Sequence, residues 1–244
     1  MSSILRRVLR VLSIMIIAGW NLAGADPCCS ALSADEVASR LTIANRLRAG
    51  GMSGYEAIRT YVLDNARLGQ HAEMIVRVTV RYPDAKQFQL LSVSGPDWMR
   101  GALRRILDGE EGRASGHGND RFRIVSGNYH FRNAKLIAFS GRDTYVLEIE
   151  PKTKNPSMLR GRLWIDAQDF AVVRFEGQTA GRVSFWAGTP LVTQTFKKLG
   201  SAWVPETNYS VAHSLVFGKT ELTVTFSDHV LLGPDRAGVA SDIR

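Results

Sequence analysis

Two carboxylates, Asp166 and Asp169, stand three residues apart between the apolar arms of RGRLWIDAQDFAVVRFEG, residues 160–177. Paired carboxylates can run general acid/base chemistry when a fold pushes their pKa values apart, one protonating a leaving group while the other activates water. The same spacing suits a hairpin turn. If Gly161, Leu163 and Ile165 share a face with Ala171, Val173 and Phe175, then Leu163 pairs with Val173, Ile165 pairs with Ala171, and Asp166 faces Phe170. Only Ala167, Gln168 and Asp169 then remain as loop. Asp is favoured at the first position of a type I turn and tolerates the left-handed backbone that ends a three-residue hairpin loop. Both aspartates are therefore expected to make the turn and to accept from nearby backbone N–H groups rather than face a substrate. On the other face this register sets Arg160 opposite Glu176 and Arg162 opposite Arg174. Two facing arginines call for an acid, which Glu148 or Glu150 is expected to supply.

The other residues able to do chemistry are scattered. His71, His117, His130, His213 and His229 lack ligand spacing, and none adjoins a Ser or Cys in a nucleophile motif. There is no G-x-S-x-G, no phosphate-cradling glycine loop and no H-E-x-x-H. The two cysteines, Cys28 and Cys29, are adjacent and cannot supply a tetrahedral zinc set. They could form a vicinal disulfide, pair with another chain, or lie in an N-terminal tail. A non-enzyme without metal or cofactor is the expectation.

The first 25 residues read as a cleavable signal peptide: Arg6, Arg7 and Arg10 precede a short apolar run from Val11 to Trp20 and a small-residue site, Ala23-Gly24-Ala25. The run is shorter than the ~20 apolar residues a spanning helix needs. Asp26-Pro27 before Cys28 breaks the lipobox pattern, so the exported chain is expected to carry no lipid anchor. Three of the 31 basic residues and none of the 23 acidic ones lie in the leader, leaving 28 against 23, a net charge of +5. Lys and Arg are dispersed, so nucleic acid is not an expected partner. Residues 26–244 then form one domain.

The elements that must position any site follow from periodicity. Ser33-x-x-Glu36 is a capping box opening a helix with Val37, Leu41, Ala44 and Leu47 on one face until Gly50-Gly51. A second helical stretch is expected from Ser53, through Tyr55, Ile58, Tyr61 and Val62, and a third over 98–107 through Met99, Leu103, Ile106 and Leu107. A polar loop follows over 109–119. Between them Met74, Val76, Val78, Val80 and Tyr82 alternate with polar residues, a strand with one buried face, and 88–94 is its hairpin partner. Nine further strands are expected over 122–125, 135–139, 144–150, 161–166, 170–176, 182–186, 191–199, 203–212 and 221–230. With no crossover helices among them, about eleven strands make an antiparallel sheet and an α+β class. A sheet that wide twists, curls and closes partly or wholly, and the helices cover the open side.

Three runs, YVLEIEPK (145–152), RGRLWIDAQDFAVVRFEG (160–177) and VTQTFKKLGSAWVPETNYSV (192–211), carry a resemblance. A strand ending in Pro-Lys, a strand ending in Trp-Ile-Asp, a short hairpin back and a later K-x-G-x-x-W-x-P resemble the LolA-like outer-membrane lipoprotein-sorting family and its RseB-type relatives. One departure is that the family's Arg-Pro pair has no counterpart around Ser92 to Trp98, which favours lipid binding over lipoprotein transfer. The resemblance implies a strongly curved, incomplete antiparallel barrel with helices over its open side, an apolar cavity and a periplasmic location. It also implies acyl chains of lipid or lipoprotein as ligands, with transient contact to a membrane or to membrane-bound transfer proteins. Candidate lining residues are Leu41, Leu103 and Leu107 on helices, with Met74, Val76, Val78, Leu147, Ile149, Leu163 and Ile165 on strands. Val173, Phe175, Val224 and Phe226 complete that set. The alternatives are an RseB-like envelope sensor and, behind it, a secreted enzyme.

Overall fold

The structure, a computed structural model, describes residues 32–51, 53–82, 85–114, 123–182, 189–214 and 217–233. The leader, Cys28, Cys29 and nearly all of the strand expected at 182–186 lie outside them.

The capping box forms: the Glu36 N–H donates to Ser33 Oγ at 3.3 Å and the Ser33 N–H to Glu36 Oε2 at 3.2 Å. It opens α1, Ala34–Gly51. Val37, Ala38 and Leu41 are buried, but Leu47, placed on the buried face from its spacing, is 72% exposed, because only the first half of the helix reaches the sheet. Arg48 Nη1 and Nη2 instead reach the backbone carbonyls of Asp169 and Phe170 at 2.7 and 2.8 Å.

Residues expected to form a second helix are a strand. β1, Gly54–Asn65, is followed by β2, Gln70–Arg81, and β3, Ala85–Ser94. In β1 the buried side chains are Tyr55, Ala57, Arg59, Tyr61 and Leu63, a period of two; Ile58 and Val62 face the other way. β1 pairs on both sides, with β2 and with the last strand, and this ladder together with its β-branched and aromatic content outweighs the weak helical spacing. Then comes α2, Asp97–Ala114, whose stripe of Met99, Leu103 and Leu107 is buried. It runs past the expected loop start at Gly109, because Glu110, one turn beyond Leu107, is anchored to Arg59.

Seven strands follow as a meander: β4 Tyr129–Phe139, β5 Arg142–Pro151, β6 Leu159–Asp166, β7 Val172–Thr179, β8 Leu191–Leu199, β9 Ala202–Ser214 and β10 Gly218–Leu232. Residues 123–125, expected as a strand, are bends whose backbone bonds lead into β4. All ten strands pair antiparallel in the order β3-β2-β1-β10-β9-β8-β7-β6-β5-β4. The count of eleven and the α+β class become ten strands and two helices among the described residues, a mostly β fold. β3 and β4 are the edges, so the sheet is not closed, and α2 lies in the connection from one edge to the other. α2 packs on β1 to β3 and α1 on β4.

The interior is divided into three clusters. Val37 and Leu41 of α1 pack with Leu147, Ile149, Leu163, Ile165 and Phe175. Met99, Leu103 and Leu107 of α2 pack with Tyr61, Met74, Val76, Val224 and Phe226. Tyr55, Ala57, Val78 and Val80 pack with Ala202 and Val204.

Candidate functional site

Asp166 holds the β6–β7 turn, whereas the Asp169 carboxylate, expected to accept from a nearby backbone N–H, instead ties the turn to side chains of β8 and β9. Asp166, 1% exposed, accepts from the N–H groups of Gln168 at 3.0 Å and Asp169 at 2.7 Å and from Arg142 Nε at 2.5 Å. Asp169 Oδ2 takes Lys198 Nζ at 2.6 Å and Trp203 Nε1 at 2.9 Å. Burial would raise the Asp166 carboxyl, but the bonds from Arg142 and from the Asp169 N–H outweigh it and hold it below the ordinary range. The Lys198 bond does the same for Asp169 against a smaller desolvation effect. Both stay ionised near neutral pH, and neither can serve there as a general acid.

The turn itself differs in register. Asp166 N–H donates to the Ala171 carbonyl and Phe170 N–H to the Asp166 carbonyl, so the loop is Ala167–Phe170, with Phe170 rather than Asp169 left-handed at φ 47°. A bulge between Trp164 and Ile165 then pairs Leu163 with Phe175 and Ile165 with Val172, not with Val173 and Ala171. Arg160 lies opposite Gln178 and Arg162 opposite Glu176. The acid is therefore Glu176, which accepts from Arg162 Nη2 at 3.3 Å and Arg174 Nε at 2.9 Å, while Glu148 bonds Asn133.

The cavity that remains lies on the concave face. About 470 Å³ in volume, it is bounded by side chains from β1, β3, β8, β9, β10 and α2, and by Ser157 of the β5–β6 loop. Lys86 on β3 and Gln194 on β8 are five strands apart; at ~4.8 Å per strand a flat sheet would separate them by ~24 Å. Their presence around one small cavity measures how far the sheet curls.

Its apolar wall is Leu222, Val224 and Phe226, alternate residues of β10, with Ile106 from α2. Its floor is charged. Arg59, 5% exposed on the inward face of β1, pairs through Nη1 with Glu110 Oε2 at 2.7 Å and donates to Tyr61 Oη at 3.2 Å. The guanidinium lies 4.8 Å from the Phe226 ring centre and 5.4 Å from that of Phe88. Burial opposes the Arg59 charge, but Glu110 and Tyr61 more than offset it. Burial, then the Glu110 charge, push the Tyr61 phenol up to about 12, so it stays protonated. The Arg59 Nε atom is buried without a hydrogen-bond partner. At the cavity's edge His229 bonds the Pro205 carbonyl through Nε2 at 2.9 Å, and burial, ahead of the Lys197 charge, lowers its pKa.

Of the candidate lining residues, Val224 and Phe226 border this cavity. Leu41, Leu147, Ile149, Leu163, Ile165 and Phe175 are packed in the cluster under α1; Met74, Val76, Leu103 and Leu107 in that under α2; and Val78 in the third. Val173 is buried but belongs to none of the three. The sequence reading missed Arg59, Tyr61 and Glu110 as a group. The signal is an arginine on the apolar face of an alternating strand, which helical spacing over 53–62 and a loop from Gly109 both conceal.

A second groove, about 590 Å³, lies on the exposed face of β4 to β8. Arg132, Arg160 and Arg162 there stand with Glu148 and Glu150, three cations to two carboxylates on an open surface. Among the described residues no three His, Cys, Asp or Glu gather at a metal-binding position, and no helix is long and apolar enough to cross a membrane.

No family model matches the chain, and no curated protein matches it. Among solved structures it is similar to an outer membrane lipoprotein-sorting protein domain from Vibrio parahaemolyticus, at 18% identity over 84% of this chain and 95% of that one, with a TM-score of 0.45. It is also similar to a LolA superfamily protein from Nitrosomonas europaea, at 13% identity over 82% and 94%, TM-score 0.36. A third likeness is to the MucA/MucB complex of Pseudomonas aeruginosa, at 10% identity over 79% and 93%, TM-score 0.27. These are likenesses of chain course.

Proposed function

We propose that this protein is a periplasmic, non-catalytic lipid-binding protein that shields an acyl chain on the concave face of its curled sheet. The observation that carries the reading is the cavity between β10 and α2, walled by Ile106, Leu222, Val224 and Phe226 in a sheet whose edges are left unjoined. Taking one acyl chain from a bilayer forfeits ~0.8 kcal/mol per methylene, on the order of 12 kcal/mol for about fifteen. The cavity must return most of this by apolar contact and still release its load.

The test is export of the full chain to a bacterial periplasm, N-terminal sequencing, solvent extraction with mass spectrometry, and titration with a fluorescent fatty acid. A mature terminus at Asp26, a co-purified acyl species and saturable binding are expected. Absence of both the acyl species and the binding overturns the reading. An envelope-sensor role is the second reading, favoured by the edge strands: Leu90 and Leu91 on β3, and Leu136 and Ile137 on β4, are 40–44% exposed and could add a partner's strand.

A further inference from the structure

We infer that the outer face of α1 is a membrane-docking surface: Ile43 and Leu47 enter the interface of a bilayer that carries anionic lipid, and Arg40 and Arg46 on either side of them meet its phosphates. This rests on the lipid-binding reading, since a protein that shields acyl chains has to meet a bilayer to gain or lose one, and it names where this one does.

Three observations carry it. The first is a second apolar stripe. Val37, Ala38 and Leu41 already bury the face of α1 that rests on the sheet, which is all a covering helix needs. Ile43 and Leu47, one turn apart, fall by the helical period on the side turned away, and they are 54% and 72% exposed. The second is charge. α1 keeps its acids, Asp35 and Glu36, in its first turn, where Glu36 is folded back on Ser33; from Val37 onward it carries Arg40, Arg46 and Arg48 and no acid. The same period sets Arg40 and Arg46, both exposed, on opposite flanks of the outer stripe. Arg40 lies over the Phe170 ring at 5.4 Å, and the bonds of Arg48 end on the Asn45 side chain and two backbone carbonyls, contacts that leave both charges in place. Asp169, whose charge reaches Arg48, is already taken by Lys198. The third is position. Arg40 and Arg48 fasten this half of α1 over the β6–β7 turn, at the end of the antiparallel sheet where the β2–β3, β4–β5 and β8–β9 turns also lie. Tyr82, 37% exposed at the end of β2, is close enough to Arg48 for that charge to act on its phenol. Tyrosine is favoured where a protein meets lipid head groups.

A bilayer answers both features at once. The two apolar side chains reach the acyl boundary while the arginines, whose stems run alongside them, keep their guanidinium groups at the level of the phosphates. A stripe of two residues is far short of the ~800 Å² per partner that a stable protein interface buries, but with two cations beside it, it suffices for a reversible hold on an anionic surface. Reversibility is what delivery of a bound chain requires.

The test sediments the full-length exported protein with vesicles of phosphatidylglycerol and phosphatidylethanolamine, with the same vesicles in high salt, and with vesicles of phosphatidylcholine. Binding to the anionic vesicles, weakened by salt and far weaker on phosphatidylcholine, is expected. Arg40→Gln and Arg46→Gln should each lower it about fivefold, and the double variant Ile43→Gln/Leu47→Gln about tenfold or more, with cooperative urea unfolding kept in all of them. Equal binding to phosphatidylcholine overturns the anionic partner. Binding that survives both the arginine and the apolar variants overturns α1 as the surface. Absence of vesicle binding overturns the inference, and a concentration-dependent dimer that Leu47→Gln dissolves would give the stripe to a second copy of the chain instead. Fatty-acid titration of the same samples keeps the two readings apart: saturable fatty-acid binding without vesicle binding overturns this inference alone, whereas vesicle docking without any acyl ligand overturns the lipid-binding reading and leaves the docking surface standing.

Discussion

Replacing Asp166 with alanine removes the acceptor around which the β6–β7 turn is built, and the structure sets the scale of the loss. The Asp169 N–H, half-buried and 2.7 Å from Asp166 Oδ1, loses a charge-assisted bond worth about 1.5–3 kcal/mol. The Gln168 N–H at 3.0 Å belongs to an exposed residue and can turn to water, so it adds about 0.5 kcal/mol. Arg142 is 38% exposed, so solvent screening leaves its pair with Asp166 a minor part of the loss. The total is about 2–3.5 kcal/mol, a fall in Tm on the order of 10 °C for a domain of this size. Asp166→Asn keeps the Oδ1 acceptor and should cost about half as much. Urea unfolding followed by tryptophan fluorescence measures both, and fatty-acid titration of the folded variants should show unchanged affinity. A cost below ~1 kcal/mol for alanine, asparagine faring no better than alanine, or lost binding in a folded variant would refute the assignment of this carboxylate to the turn.

Acid should weaken the fold in a defined window. Asp166 and Asp169 titrate below the ordinary carboxylate value of about 3.9, so on acidification the unfolded chain binds protons before the folded one does. Their contribution is whole above about pH 5 and is lost as pH falls through the folded values; denaturation series at pH 7, 5 and 3 should show this, with a flatter acid limb in Asp166→Asn. Gly161→Ala should destabilise by about 2 kcal/mol or more, since φ is +152° and a Cβ would lie 2.1 Å from the Glu176 carbonyl oxygen; a neutral result in thermal melts would contradict the close strand approach. Leu47→Gln should stay within about 0.5 kcal/mol of wild type, while Leu41→Ala, on the same helix but 1% exposed, should cost about 2–5 kcal/mol, both read by urea midpoints.

Much of this was legible along the chain because it is local. The capping box needs only Ser33 and Glu36, and the strand at Met74–Val80 needs only alternation, so both appear where their residues say. The turn at Asp166 was legible for the same reason: the acceptor and its N–H donors are two and three residues apart. The register beyond it was not, because the bulge at Trp164–Ile165 depends on how two strands meet. That shift sets Glu176 opposite Arg162, while Glu148, which faces Arg162 from β5, is engaged by Asn133 instead.

What the sequence by itself determined was the alternation of β2, the antiparallel run of the later strands and the starts of α1 and α2, all set by chemistry within a few residues. What only the tertiary structure decided was the site. Tyr55 to Val62 became strand because two neighbours, β2 and β10, offered it a ladder. The helix from Asp97 ran on to Ala114 with Glu110 held by an arginine 51 residues earlier. A buried charge declares itself only when the groups that neutralise it are brought together, and here they come from β1 and α2, which meet only when α2 folds back across β3 and β2.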